Sequence, residues 1–176
     1  YIAACELPCV IINIMRAGPG LGGILPAQSD YFQATRGHGH GDYQVIVLAP
    51  SSVQEAVDLM TLAFELAETY RNPVMVCADG MIGQMMEPVE FDREGAGPPL
   101  AENDWSLGVR NGRPRRIVNS LYLSPEELDA HNRHLKAKYD LIAEKETRFE
   151  LDGGSEPDDL LVVAFGTMAR ICKSAI

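Results

Sequence analysis

The chain has no apolar run near the about 18 residues that a membrane-spanning helix needs, and no basic region at its N-terminus of the kind that opens a secretory signal. It is also short of positive charge. Fifteen Lys and Arg stand against 25 Asp and Glu, for a net charge of −10, and the one basic cluster is Arg110, Arg113, Arg115 and Arg116. That balance argues against nucleic acid as a partner, because phosphate neutralisation needs a positive face. The four cysteines form no C-x-x-C pair, and Cys5 with Cys9 cannot supply the four ligands of an iron–sulfur cluster, so the reading is reduced thiols in a cytoplasmic protein. What is present is globular: 46% apolar and 23% charged residues in 176, enough for one ordinary domain or for one domain with a piece of another. The chain starts at Tyr1 without methionine and stops at Ile176 inside a helical pattern, so it reads as a fragment.

The pattern along the chain is that of an α/β protein. Residues 9–15 (CVIINIM) form a β-branched run typical of a strand buried on both faces of a parallel sheet. A long connection follows, comprising RAGPGLGG at residues 16–23, PAQSD at 26–30, a possible helical turn at 31–34 and GHGHGD at 37–42. Residues 44–49 (QVIVLA) read as a second strand. Ser51 or Ser52 caps a helix to about Tyr70 with Val53, Val57, Met60, Phe64 and Ala67 on one face. Asn72-Pro73 ends it, and residues 74–78 form a third strand, which predicts a three-layer parallel sheet. Residues 91–123, rich in Pro, Gly and charge, read as a linker with Trp105 as its anchor. Ser124-Pro125-Glu126-Glu127 is a capping box that opens a helix reaching to about Phe149, with an apolar stripe sparse enough for a helix bridging two bodies. After a turn at Asp152-Gly153-Gly154, residues 160–165 (LLVVAF) predict a fourth strand, and a helix opens at Met168. The organisation expected is residues 1–90 as one domain, 91–123 as linker, 124–150 as bridging helix and 151–176 as the start of a second α/β domain.

No single motif decides the chemistry. Gly18, Gly20 and Gly23 match the spacing G-x-G-x-x-G, but Pro19 fills the first gap and Leu25-Pro26 breaks any following helix, and a Walker loop would need Gly-Lys-Ser/Thr. The plainer reading is a loop packed close to another backbone or subunit. His38-Gly-His40-Gly-Asp42 offers two imidazoles and a carboxylate, which suits a metal, a substrate- or interface-facing loop, or a plain turn. Asp79-Gly80 with Asn103 is spaced like the diphosphate and magnesium motif of thiamine-dependent enzymes. The interval between them, however, lacks the helix and strand that motif requires, so it reads as a turn. The arginines at 110–116 read as binding an acidic neighbour. No Ser/His/Asp, Cys/His or paired-carboxylate arrangement stands out, and no catalytic or metal-ligating residue is assigned.

Several separated motifs in one order say more. Residues 15–22 (MRAGPGLG), Gln28-Ser29-Asp30, residues 38–42, residues 49–55 (APSSVQE), Asn72-Pro73-Val74, Asp79-Gly80, Ser124 to Glu127, Lys138-Tyr139 and residues 163–170 (VAFGTMAR) together resemble the alpha-type subunit of the 2-oxoacid:ferredoxin oxidoreductases, of the 2-ketoisovalerate or 2-oxoglutarate type, over nearly the whole chain. The resemblance implies a pyrimidine-binding thiamine diphosphate domain, a linker and bridging helix, and the start of a transketolase C-terminal-like domain. It implies oxidative decarboxylation of a 2-oxoacid with coenzyme A, in which the thiazolium ring of the cofactor is the electron sink. Thiamine diphosphate and magnesium would be shared with a beta-type, diphosphate-binding subunit. Iron–sulfur clusters would sit in other subunits, of gamma or delta type, with ferredoxin as electron acceptor. The resemblance makes Arg16, Gly18, Gly20, Gln28, His40 and Asp42 the candidate cofactor or interface residues. The family's pyrimidine-activating Glu and the elements near the substrate are expected upstream of residues like Tyr1, so the fragment alone should not turn over. Ala17 and His38 stand where the family usually has Gly.

Overall fold

A computed structural model of the chain describes residues 1–91, 105–108, 112–153 and 160–175. Asn103, Arg110 and the segment 95–99 lie outside the described residues. The expected parallel unit is present. Strand β1 (Cys9–Met15), helix α1 (Tyr31–Thr35), a 3-10 turn at Gly37–Gly39, strand β2 (Ile46–Leu48), helix α2 (Val53–Tyr70) and strand β3 (Pro73–Asp79) lead to helices α3 (Pro125–Glu146) and α4 (Gly166–Ala175).

The sheet order is β1-β3-β2, all parallel, with Cys9 opposite Pro73, Met15 opposite Asp79 and Ile46 opposite Val74. β3 lies in the centre and is buried along its whole length, which is why its run carries no alternation. One face packs Ile46, Leu48, Val74 and Val76 against Ala63, Leu66 and Ala67 of α2. The other packs Met15, Met75 and Cys77 against Ala34 of α1 and Phe165. The four cysteines are free thiols, and burial pushes the Cys77 thiol up from its ordinary pKa.

The capping residues read from the sequence are in place. Ser52 Oγ accepts from the Glu55 amide at 3.1 Å, and the Glu55 carboxylate accepts from the Ser51 amide and hydroxyl at 2.7 Å each. Arg71, left-handed at φ 48°, closes the other end of α2. Ser124 Oγ accepts from the Glu127 amide at 3.4 Å and caps α3, with Pro125 in its first turn, but the return half of the expected capping box is not made: the Ser124 hydroxyl donates to Glu126 at 2.6 Å instead. α3 ends at Glu146 rather than near Phe149, because Thr147 turns extended and its hydroxyl folds back onto the Ala143 carbonyl at 2.5 Å. One face of α3 carries its ties: His131 to the Ala4 carbonyl at 2.9 Å, His134 and Lys138 to Glu6 at 2.9 and 3.2 Å, and Glu146 to the Tyr70 hydroxyl at 2.6 Å.

The second strand is shorter than its sequence pattern, three residues instead of six. The fourth strand is a correction. Residues 160–165 pair with no strand among the described residues, and Leu160, Leu161 and Val163 are 79 to 87% exposed. An apolar run expresses a preference, whereas a strand also needs a ladder partner, and residues 160–165 join neither open edge of the sheet, the outer side of β1 or of β2. α4 begins at Gly166, two residues before the expected Met168.

Candidate functional site

In a parallel sheet the loops leaving the strand carboxyl ends share one rim, where α/β proteins place ligands. Here that rim is built by the loops after β1, β2 and β3 and by the start of α4.

The loop after β1 closes on itself. Arg16 and Pro26 bridge at its base, the Ala17 amide donates to the Leu25 carbonyl at 3.0 Å, and the Gly23 amide donates to the Ala17 carbonyl at 2.9 Å. Ala17 thus serves the loop through its backbone, and its methyl group is accommodated. The Arg16 guanidinium turns inward and donates to the carbonyls of Leu21 and Gly23. Gly22 is required by crowding: it is left-handed at φ +53°, and a Cβ there would lie 1.9 Å from the Ala17 oxygen. Gly20 is left-handed too but has open space beside it, and Leu21, Ile24 and Leu25 point into solvent.

Gln28-Ser29-Asp30 ties this loop to three places. Gln28 Nε2 donates to the Phe165 carbonyl at 2.9 Å, Ser29 Oγ donates to the Arg16 carbonyl at 2.6 Å, and Asp30 accepts from Asn13 Nδ2 at 3.0 Å. Asn13 is the residue that sequence reasoning passed over. A single amide inside a β-branched run was the available signal, and its Nδ2 also lies 3.9 Å from Cys77 Sγ on β3.

Asp79 ends β3 as a turn residue. It is buried, and its Oδ1 accepts from the Met81 and Ile82 amides at 2.9 and 3.2 Å. Glu87 joins two helices: it accepts from the Val53 amide at the start of α2 at 3.0 Å and pairs with Arg170 of α4 at 2.7 Å. Those bonds, the Arg170 one foremost, hold the Glu87 carboxyl below its ordinary pKa. Gln54 exchanges two bonds with the Glu90 backbone. The polar groups of APSSVQE are therefore engaged in helix capping and loop anchoring. Arg113 and Arg116 donate to the carbonyls of Ser106 and Gly108, holding a turn of the linker.

The structure thus brings Arg16, Gly18, Gly20 and Gln28 together on the carboxyl rim. His40 and Asp42 lie elsewhere, on the connection that enters the amino end of β2 after α1. Gly37 folds tightly there, with a Cβ position 2.4 Å from the Tyr43 oxygen, while His40 and Asp42 are exposed and have no bonded partner among the described residues. The side chain of His38 lies outside what the structure describes. Among the described residues no three of His, Cys, Asp or Glu are grouped to hold a metal ion, and no helix is long and apolar enough to cross a membrane.

Comparisons with known proteins agree with this architecture. The chain is 44% identical to the ketoisovalerate oxidoreductase subunit VorB of Methanothermobacter marburgensis, over all of this chain and 49% of that protein. It is 36% identical to the 2-oxoglutarate synthase subunit KorA of Archaeoglobus fulgidus, over 99% of this chain and 50% of that one. The chain spans about half the length of these relatives. Its fold matches a solved 2-oxoglutarate:ferredoxin oxidoreductase from Magnetococcus marinus with a TM-score of 0.74 and 24% identity, over 99% of this chain and 35% of that one. The family model described as "Pyruvate flavodoxin/ferredoxin oxidoreductase, thiamine diP-bdg" matches residues 1–147, the stretch that holds the whole sheet, the loops after its three strands and α3. The chain therefore belongs to that family.

Proposed function

We propose that the chain is part of a subunit of a thiamine diphosphate-dependent 2-oxoacid:ferredoxin oxidoreductase, converting a 2-oxoacid and coenzyme A to an acyl-CoA, carbon dioxide and electrons. The family match over residues 1–147 carries this reading. When bound, thiamine diphosphate would supply the electron sink for loss of carbon dioxide.

The residues present fit one end of that cofactor. The open flank of Gly20 and the apolar Leu21, Ile24 and Leu25 suit a neutral aromatic ring such as the aminopyrimidine. The diphosphate end finds no cation in this loop, because Arg16 is turned onto its own loop carbonyls, and Asp79 Oδ1 is engaged by two amides. Arg16 then shapes the loop, Gly18 and Gly20 line the approach, and Gln28 anchors it. The diphosphate and magnesium belong to a beta-type partner subunit, and the iron–sulfur clusters and the ferredoxin contact to gamma- or delta-type subunits. Residues 151–176 are the start of a transketolase C-terminal-like domain beyond the linker (91–123) and bridging helix (124–150). The complex is cytoplasmic. A branched-chain 2-oxoacid is the first substrate class to test, given the higher identity to the ketoisovalerate relative.

The test is co-expression of the full-length subunit with its partners and an assay of dye reduction dependent on 2-oxoacid and coenzyme A. Reduction with a branched-chain 2-oxoacid or 2-oxoglutarate is expected, and none with either overturns the reading. A second reading is a non-catalytic module that docks partners, favoured by the exposed Leu21, Ile24 and Leu25. Leu21→Ser separates the two. Normal assembly with weakened thiamine diphosphate binding supports cofactor contact, and lost assembly supports docking.

A further inference from the structure

The loops after all three strands converge on one residue, Gly166, the first of α4. A Cβ there would lie 3.0 Å from Gln28 Nε2, 3.3 Å from the Pro50 carbonyl oxygen and 3.9 Å from Asp79 Oδ2, and the residue is left-handed at φ +57°. Gln28 belongs to the loop after β1, Pro50 to the loop after β2, and Asp79 ends β3. A Cβ there would need Gln28 or the Pro50 backbone to give by a few tenths of an ångström, on top of the strain of the left-handed backbone. The seat is held on two further sides: Phe165 packs beside Tyr31 with ring centroids 5.7 Å apart, and Arg170 pairs with Glu87, which caps the start of α2.

From this seat a short series of bonds reaches the glycine loop. The Phe165 carbonyl accepts from Gln28. The next residue, Ser29, donates to the Arg16 carbonyl, and the Arg16 guanidinium closes the loop onto Leu21 and Gly23. Gln28 thus connects a segment more than a hundred residues away in sequence to the loop that the functional reading places beside the cofactor.

We propose that Gln28 is a positioning residue and that α4, seated at Gly166, holds the glycine loop in its closed shape through it. Loosening α4 then loosens residues 16–25 without touching them. The loop part of the proposal is independent of chemistry, and the cofactor part rests on the thiamine diphosphate reading.

The experiment uses the full-length subunit assembled with its partners. Hydrogen exchange of the peptide covering residues 16–25 is followed in Gln28→Met, Gly166→Ala and the double variant, with β3 as internal control. Each single variant is expected to speed exchange of the loop about five-fold, the effect of losing one intramolecular hydrogen bond. The double variant should go no faster than the faster single one, because both break the same series of contacts, and β3 should not change. Unchanged loop exchange in Gly166→Ala, or two effects that multiply, overturns the proposal. If Gly166→Ala does not fold, Arg170→Ala loosens the same helix from its exposed side and is read against the same outcomes. Thiamine diphosphate affinity, measured on the same set, is expected to fall in parallel with loop opening. Loop opening in the variants, together with a wild-type complex that binds no thiamine diphosphate, sinks the functional reading and leaves the role of Gln28 and α4 in holding the loop standing. A fall in affinity for Gln28→Met alone, with Gly166→Ala at the wild-type value, assigns Gln28 to direct cofactor contact and overturns its positioning role.

Discussion

Two glycine-rich segments flank the short helix α1, and they differ in what surrounds them. The loop after β1 is internally bonded and crowded at Gly22, which faces the Ala17 oxygen; Arg16 donates to the Leu21 and Gly23 carbonyls, and Ser29 and Gln28 fasten the exit. On the connection into β2, Gly39 and Gly41 are also left-handed, yet nothing lies within 4 Å of the position a Cβ would take, and His40 and Asp42 stand in solvent. Glycine serves close approach at Gly22 of the first segment and at Gly37 at the start of the second, whose Cβ position is 2.4 Å from the Tyr43 oxygen, and only backbone handedness at Gly20, Gly39 and Gly41. A cluster of His, Asp and Gly in sequence does not by itself make a built site, whereas a loop bonded onto its own backbone is pre-formed to present its edge to something else.

The contrast can be broken by substitution. The largest effect is expected for Gly22→Ala, where steric overlap adds to the left-handed penalty, for a loss of about 3 kcal/mol or more. In urea denaturation of the full-length subunit this should appear as a lower midpoint, with loop opening seen by hydrogen exchange. A midpoint within error of wild type would show that the loop is not closed as described. Asp79→Ala comes next. It leaves the Met81 and Ile82 amides without their acceptor at a cost of about 1–3 kcal/mol, and Asp79→Asn, which keeps an acceptor oxygen, should recover most of it. Equal losses in both variants would place the effect elsewhere. Gly41→Ala should cost only the handedness term, about 1–2 kcal/mol, with exchange raised in residues 37–45 and unchanged in 16–25. His40→Ala and Asp42→Ala are the smallest, each within about 0.5 kcal/mol in stability. Weakened assembly in either variant, at unchanged stability, would show that this open loop is a partner contact and would sharpen the difference between the two segments.

Much of the fold was legible because its signals are local. The β-branched runs of β1 and β3, the Ser52 and Ser124 caps and the Asn72-Pro73 stop each act within a few residues, and each element formed where its pattern lies. The run at residues 160–165 is also wholly apolar and formed no strand among the described residues, since pairing depends on a neighbour that composition does not specify. The candidate site divides in the same way. Arg16, Gly18, Gly20 and Gln28 follow a strand directly, so chain order alone put them at its carboxyl end. His40 and Asp42 follow the same strand at greater distance, and α1 carries the chain on to the amino end of β2 before them, a path no motif spacing records. Asn13 and Glu87 went unremarked because their partners, Asp30 and Arg170, are distant in sequence.

The sequence by itself determined the parallel α/β class, the capped starts of α2 and α3 and, through motifs kept in one order, the family, because each rests on contacts between near neighbours or on chain order. Only the tertiary structure decided that β3 lies at the centre of the sheet, that the two glycine-rich segments attach to opposite strand ends, and that three loops close around Gly166. Those outcomes depend on which distant surfaces bury one another, and burial is a property of the packed chain rather than of any one stretch of it.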